Sequence, residues 1–248
     1  MIDRAVELIQ NANNLVVLTG AGISTESGVP DYRSSGGLWD GLKPEEISHW
    51  KKIGTPEFRK FFVERHKEFK EHKPNIAHEI LAKWGAEKEF PIITQNIDSY
   101  HQQAGSDSVI EMHGHMRHLQ CQECVTVYDW SKFTLFDDDE CEYCGGNVHG
   151  GILRPPVVLF GEHLSAHSWY RAVVQIQKAD VILVIGTSLQ VAPFNELIDA
   201  AFEFNPEAKL IILTASETPY DHLATVRIHD SIGETLVKID EKLTQGGK

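Results

Sequence analysis

The chain has 248 residues, 42% of them hydrophobic and 24% charged, with a formal net charge of −13. That length allows one large domain or a large and a small one, and the acidic balance argues against holding a nucleic acid backbone, which needs clustered Lys and Arg. No apolar run approaches the roughly 20 residues of a membrane span, the start Met1-Ile2-Asp3-Arg4 lacks a signal-peptide pattern, and a cytoplasmic address is the default expectation.

Ile2, Ala5, Val6, Ile9 and Ala12 recur at helical spacing and predict an amphipathic helix that Asn13-Asn14 ends. Leu15 to Thr19 then reads as a buried parallel strand. It runs into a glycine-rich turn, Gly20-Ala21-Gly22-Ile23-Ser24-Thr25, followed by Gly28-Val29-Pro30-Asp31-Tyr32-Arg33. A strand delivered into such a turn is how a doubly wound sheet meets a phosphate, since glycine admits close backbone approach and amides face the anion. The third glycine of the usual dinucleotide fingerprint is missing, with Thr25 in its place, so a plain strand-to-helix turn is the competing reading. Ser34 to Gly41 is rich in small residues and reads as a mobile cover.

Thr55-Pro56 predicts a capped helix through Glu71, and Pro74-Asn75 starts a second one that Gly85 closes. Phe90 to Thr94 is the next predicted strand, and its end carries Gln95, Asn96, Asp98 and His101. Ligands in open α/β sheets bind beyond the carboxyl ends of the strands. Val109 to His115 leads into the cysteine segment, and Gly150-Gly151 and Arg154-Pro155-Pro156 mark the return. Val157 to Phe160 is a short apolar run, for which a plain core strand is one reading. A helix over 165–178 precedes the clearest strand, Val181 to Ile185, which ends in Gly186-Thr187-Ser188. A helix over 193–204, a strand over 209–214, an edge strand over 226–229 and a closing helix over 232–243 complete the chain.

This alternation predicts an α/β fold with a Rossmann-like, doubly wound parallel sheet and helices on both faces. The two interruptions form a smaller zinc-ribbon plus helical domain. The expected division is 1–33, 86–117 and 151–248 for the large domain, with a helical insertion at 34–85 and a zinc-binding module at 118–150 for the small one.

The four cysteines fall as Cys121-x-x-Cys124 and Cys141-x-x-Cys144, sixteen residues apart. Two such turns supply the four soft ligands that tetrahedral Zn²⁺ prefers, whereas disulfides are the competing use. Four thiolates leave no position for a catalytic water, so the metal is expected to be structural. Asp137-Asp138-Asp139-Glu140 beside the module would repel a nucleic acid phosphate.

Taken together, the strand-end clusters resemble the sirtuin family, the NAD-dependent protein lysine deacylases, in its bacterial type. The match is carried by Gly20-Ala21-Gly22-Ile23-Ser24 through Val29-Pro30-Asp31-Tyr32-Arg33, then Thr94-Gln95-Asn96-Ile97-Asp98, His113-Gly114, the two cysteine pairs and Gly186-Thr187-Ser188-Leu189, in family order. The resemblance implies that the Gly20, Ala21, Gly22 and Ser24 turn holds the NAD pyrophosphate, with Thr25, Asp31 and Arg33 also at the cofactor and Tyr32 shielding the nicotinamide. Gln95 would lie near the ribose, and Asn96, Ile97 and Asp98 around the nicotinamide amide. Gly186, Thr187 and Ser188 would hold phosphate and ribose, with Thr214 and Ile232 at the adenine end.

A histidine before glycine is, in isolation, more often structural. The resemblance selects His113 as general base, with Asn96 beside it as the second catalytic candidate. An imidazole titrating near 6.5 can take a proton at neutral pH. The implied reaction moves the acetyl group from acetyl-lysine to ADP-ribose and releases nicotinamide and O-acetyl-ADP-ribose. Val158, Phe160, Gly161, Glu162 and Val191 resemble the segments between which an extended substrate peptide pairs. Tyr32 stands where many members have Phe, and Thr214 where the family usually has Asn. Desuccinylating members carry a Tyr three residues before an Arg; Arg65 is present, but Phe62 stands at the Tyr position. A neutral acyl group, acetyl first, is therefore expected. A mono-ADP-ribosyltransferase or NAD glycohydrolase is the nearest rival, and a non-catalytic NAD-binding sensor the second. The expected partners are acetylated lysines of proteins bound as extended peptide, with no nucleic acid and no membrane.

Overall fold

A computed structural model describes residues 1–32, 37, 43–133, 141–144 and 151–246. Arg33, all of the 34–41 loop but Gly37, and Asp137 to Glu140 lie outside the described residues.

Six strands form the main sheet: β1 (Leu15–Thr19), β2 (Ile92–Thr94), β3 (Val109–Glu111), β7 (Val181–Ile185), β8 (Lys209–Leu213) and β9 (Val226–Ile228). Their order is β3-β2-β1-β7-β8-β9 and every pairing is parallel. Three short strands, β4 (Leu119–Cys121), β5 (Val127–Tyr128) and β6 (Leu153–Arg154), make a separate antiparallel sheet in the order β5-β4-β6.

Every residue of β1 and β7 is buried, as strands covered on both faces require, and this is why they read as unbroken apolar runs. Side chains alternate between two cores. Leu15, Val17, Leu183 and Ile185 face α1 (Ile2–Asn11), α4 (Ile76–Glu87) and α8 (Ile232–Gly246). Val16, Leu18, Ile182 and Val184 face α6 (Ala166–Ile176) and α7 (Glu196–Phe204). Burying one such aliphatic side chain contributes about 2 kcal/mol, so a polar residue at any of these positions would be felt by the whole sheet. A third core joins α3 (Pro56–Glu71), through Phe58, Phe62 and Phe69, to Leu119, Trp130 and Phe133 of the cysteine segment. Among the described residues, no helix is long and apolar enough to cross a membrane.

Local differences from the sequence reading have physical causes. Gly85 does not close its helix: α4 continues to Glu87, and the Lys88 amide caps it on the Trp84 carbonyl. The glycine sits inside the helix with open space where a side chain would be. The predicted helix after the glycine turn is a seven-residue 3₁₀ segment, Ala21–Ser27, ended by Gly28 at φ 92°. Val157 to Phe160 is no ladder strand; it makes two isolated bridges, Gly114 with Val157 and His49 with Phe160.

The chain runs outward from β1 to β2 and β3 in one direction and from β7 to β8 and β9 in the other. The strand order thus reverses between β1 and β7, and their carboxyl ends border a crevice.

Candidate active site

At that reversal the two strand-end turns cross in contact. The Gly20 amide donates to the Ile185 carbonyl (3.1 Å) and the Gly22 amide to the Gly186 carbonyl (2.8 Å). Gly186 has φ 62°, and a Cβ there would stand 2.3 Å from the Ile23 amide nitrogen. A Cβ on Gly20 or Gly22 would fall 2.6 Å from Thr187 Cβ or 2.8 Å from Gly186 Cα. These glycines therefore admit the opposite loop, a reason the spacing alone did not carry.

The crossing floors a cavity of about 960 Å³. Its wall includes Ala21, Gly22, Thr25, Asp31 and Tyr32 from the first turn, Gln95, Asn96 and Ile97 after β2, and His113 after β3. Gly186, Thr187 and Ser188 follow β7, Thr214 follows β8 and Ile232 opens α8. Val158, Phe160, Gly161, Glu162 and Val191 complete the far side. Gly20, Ser24 and Asp98 stand behind the wall. Sequence reasoning missed Ser48, Ser216 and His229, all of which reach the cavity from other parts of the chain. No local motif marks them.

Behind the wall lies a buried polar network. Ser24 Oγ donates to Asp98 Oδ2 (2.8 Å), and the Tyr100 amide donates to Asp98 Oδ1 (3.0 Å). Desolvation nonetheless raises the Asp98 carboxyl above its usual range, against the pull of those bonds and of Arg65. Asn96 Nδ2 donates to the Gly20 carbonyl (3.2 Å), which ties the second strand end to the first. Thr19 Oγ1 is hydrogen-bonded both to Thr94 Oγ1 (2.8 Å) and to His101 Nε2 (2.9 Å). His101 is thereby structural. It lies against His78, with ring centroids 4.9 Å apart, and burial holds both rings neutral.

His113 is held differently. Its Nδ1 lies 3.0 Å from the Gln95 carbonyl oxygen, which can only accept, so Nδ1 carries the proton and the lone pair sits on Nε2. The His113 carbonyl accepts from the Val158 amide (2.9 Å). One short segment thus fixes both the imidazole and the run bordering the far side of the cavity. That run is pinned at its other end, where the Phe160 amide donates to Ser48 (2.9 Å) and the Trp50 amide to Phe160 (3.2 Å). Glu162 lines the cavity, but its carboxylate accepts from the Leu159 amide (3.0 Å) and pairs with Arg154 (3.0 Å). It organises its own loop.

Tyr32 and Phe62 both line the cavity, and Arg65 beside Tyr32 is 3% exposed. Arg65 pairs with Glu68 and lies over the rings of Phe69 (4.6 Å) and Tyr32 (5.8 Å). Desolvation raises the Tyr32 hydroxyl pKa, and Arg65 opposes the shift.

The four cysteine Sγ atoms lie within 4.8 Å of one another, with Cys121 to Cys144 at 3.7 Å and Cys124 to Cys141 at 3.5 Å. Tetrahedral zinc with thiolates at about 2.3 Å needs sulfurs about 3.8 Å apart. A Cβ on Gly151 would stand 2.5 Å from Cys121 Sγ, so only glycine closes this cradle. The donor set and its spacing fit zinc. Tyr128, whose hydroxyl lies 3.0 Å from Cys141 Sγ, can donate to that thiolate.

The model of the Sir2 family matches residues 20–193. The NAD-dependent protein deacetylase of Oceanobacillus iheyensis is 40% identical over 241 residues, covering 94% of this chain and 98% of that protein. A solved Sir2 complex with p53 peptide and NAD+ superposes with a TM-score of 0.87 at 31% identity, covering 100% of this chain and 99% of the other. Another, Sir2 with deacetylated p53 peptide and 3'-O-acetyl ADP ribose, gives 0.87 at 32% identity, covering 97% and 98%. The likeness runs through both strand-end turns and both cysteine pairs, and the chain belongs to the Sir2 family.

Proposed function

We infer that this chain is an NAD-dependent protein lysine deacetylase that works in the cavity at the sheet's reversal. The observation that carries the reading is His113: an imidazole with its protonation pattern fixed by the Gln95 carbonyl, placed where three strand ends converge on one large cavity. The cavity suits a dinucleotide in size and in its polar strand ends.

NAD, when bound, supplies the ribose carbon that gives up nicotinamide and the ribose hydroxyl that ends up carrying the acetyl group. His113 Nε2 takes the proton of that hydroxyl, and the Gln95 carbonyl stabilises the imidazolium through Nδ1–H. Gly20, Ala21, Gly22 and Ser24 position the pyrophosphate, with Thr25 and Asp31 also at the cofactor; Arg33 is assigned to the cofactor by the family resemblance alone. Asn96 and Ile97 hold the nicotinamide amide, with Asp98 behind them in the same group, Tyr32 covers it, and Gln95 lies near the ribose. Thr187 and Ser188 hold phosphate and ribose, and Thr214 and Ile232 border the adenine. The acetyl-lysine peptide lies extended between the segment containing Val158, Phe160 and Gly161 and the one containing Val191. Backbone pairing there reads little side-chain sequence. Cys121, Cys124, Cys141 and Cys144 hold one structural zinc, which keeps the module folded. The helical insertion and the zinc module act as one small domain against the large one, the protein works in the cytoplasm, and neither nucleic acid nor membrane is a partner.

Replacing His113 with Ala tests the assignment. Deacetylation of an acetyl-lysine peptide should fall at least about 100-fold, while ADP-ribose still binds. Retained turnover would remove His113 from the reaction.

A further inference from the structure

Thr214, Ala215 and Ser216 follow β8 and line one end of the cavity. Thr214 is also where an asparagine of the family is replaced, so the question is what holds a nucleoside here. The β8–β9 ladder ends at Leu213 with Ile228, and the Thr214 amide makes the last strand-like bond, to the Ile228 carbonyl (3.2 Å). Beyond it, the three loop carbonyls need donors from elsewhere.

Two side chains supply them, Arg227 on β9 and His229 just after it, at alternate positions that share a face. Arg227 Nη1 donates to the Thr214 carbonyl (2.8 Å), and Nη2 donates to the Ser216 carbonyl. His229 Nδ1–H donates to the Ala215 carbonyl (3.2 Å). The guanidinium is itself fixed. Its Nη1 also reaches the Ile228 carbonyl (2.8 Å), and its Nε donates to Asp221 Oδ1 (2.9 Å). Asp221 in turn accepts from Thr218 Oγ1 (2.6 Å) and the Thr218 amide (3.2 Å). The Arg227 side chain is only 14% exposed.

A trans peptide points its N–H opposite to its C=O. With the carbonyls of 214, 215 and 216 turned to Arg227 and His229, the amides of Ala215, Ser216 and Glu217 point the other way. None of them has an acceptor among the described residues. We propose that Arg227 is a positioning residue for the cofactor: it grips the Thr214–Ser216 loop by its carbonyls so that main-chain amides, in place of an asparagine side chain, meet the acceptor atoms of the adenosine half of NAD. The proposal rests on the NAD-dependent reading above.

The test compares wild type, R227M and R227K. Calorimetric titration gives the affinities for ADP-ribose and for nicotinamide mononucleotide, which lacks adenosine; steady-state assays give KM for NAD and kcat with an acetyl-lysine peptide. Unpinned carbonyls cost enough that R227M should weaken ADP-ribose binding and raise KM about tenfold. The mononucleotide affinity, and kcat at saturating NAD, should move less than about twofold. R227K, which keeps the charge but not the fork, should recover part of the loss. If R227M does not fold, D221N weakens the guanidinium's anchor, along with the Thr218 turn, and should shift the same constants in the same direction. Unchanged ADP-ribose affinity in the folded variant overturns the proposal, as does equal weakening of both ligands. A wild-type protein that binds neither ligand overturns the NAD reading itself, and the role of Arg227 with it.

Discussion

Gly114→Ala is the substitution that most sharply tests how His113 is held. Gly114 has φ 77°, and a Cβ added there would lie 1.9 Å from the Pro156 carbonyl oxygen and 3.1 Å from Val157 Cα. Left-handed backbone costs an alanine about 1–2 kcal/mol. The clash cannot be relieved by a side chain, because the obstacle is backbone. Moving the 156–157 segment away strains or breaks the bond from the Val158 amide to the His113 carbonyl, worth about 1 kcal/mol. Together these come to about 2–3 kcal/mol. If most of that appears as a displaced imidazole and a displaced peptide-binding run, kcat/KM falls about 30- to 100-fold, at about 1.4 kcal/mol per factor of ten. The assay is initial-rate deacetylation of an acetyl-lysine peptide, run beside urea denaturation so that only the folded fraction is counted. A folded Gly114→Ala protein with kcat/KM within about threefold of wild type would refute this coupling of His113 to the 156–158 segment.

Three further outcomes follow from the same geometry. Burial holds His78 down to about 4 and His101 well below its usual value, so the unfolded chain binds more protons than the folded one as pH falls below about 6.5. Stability should therefore be complete above pH 6.5 and decline towards pH 4, with His78 alone accounting for about 3 kcal/mol; His78→Gln should flatten the curve in urea titrations, and an unchanged slope would contradict the assignment. Stripping zinc with a chelator should unfold the module around Leu119, Trp130 and Phe133, so activity should vanish in step with metal content and native circular dichroism; activity lost with the fold intact would argue for a direct chemical role. Arg65 is engaged by Glu68 and flanked by aromatic rings, and Phe61 and Phe62 present an apolar wall to the cavity, so an acetyl-lysine peptide should be processed at least about ten times faster than its succinyl twin; comparable rates would show that Arg65 still reaches an acyl carboxylate.

Much of this molecule was legible because parallel strands buried on both faces leave unbroken apolar runs, as in Leu15 to Thr19 and Val181 to Ile185. The cysteine pairs were legible because a knuckle needs its two ligands three residues apart, and Thr55 announced α3 as a side-chain cap. Where contacts are long-range, the sequence was silent. Nothing near Gly186 says that its partner is the Ile23 amide, far away in the chain. Strands β4, β5 and β6 have two or three residues each, too few to show a period. Glu162 read as a group facing substrate, but its carboxylate is taken by Arg154 and the Leu159 amide. Arg227 carries no motif at all; its role appears only once β8 and β9 lie side by side.

Coupling of NAD cleavage to removal of an acetyl group from lysine shows in one stoichiometry. Nicotinamide release from NAD is measured with and without an acetyl-lysine peptide, and the peptide product is weighed in the same tube. Release should occur only with peptide, one nicotinamide for each acetyl lost. Release without peptide would make the protein a glycohydrolase, a peptide that gains mass would make it a transferase, and no release at all would leave a silent NAD sensor; each contradicts the deacetylase.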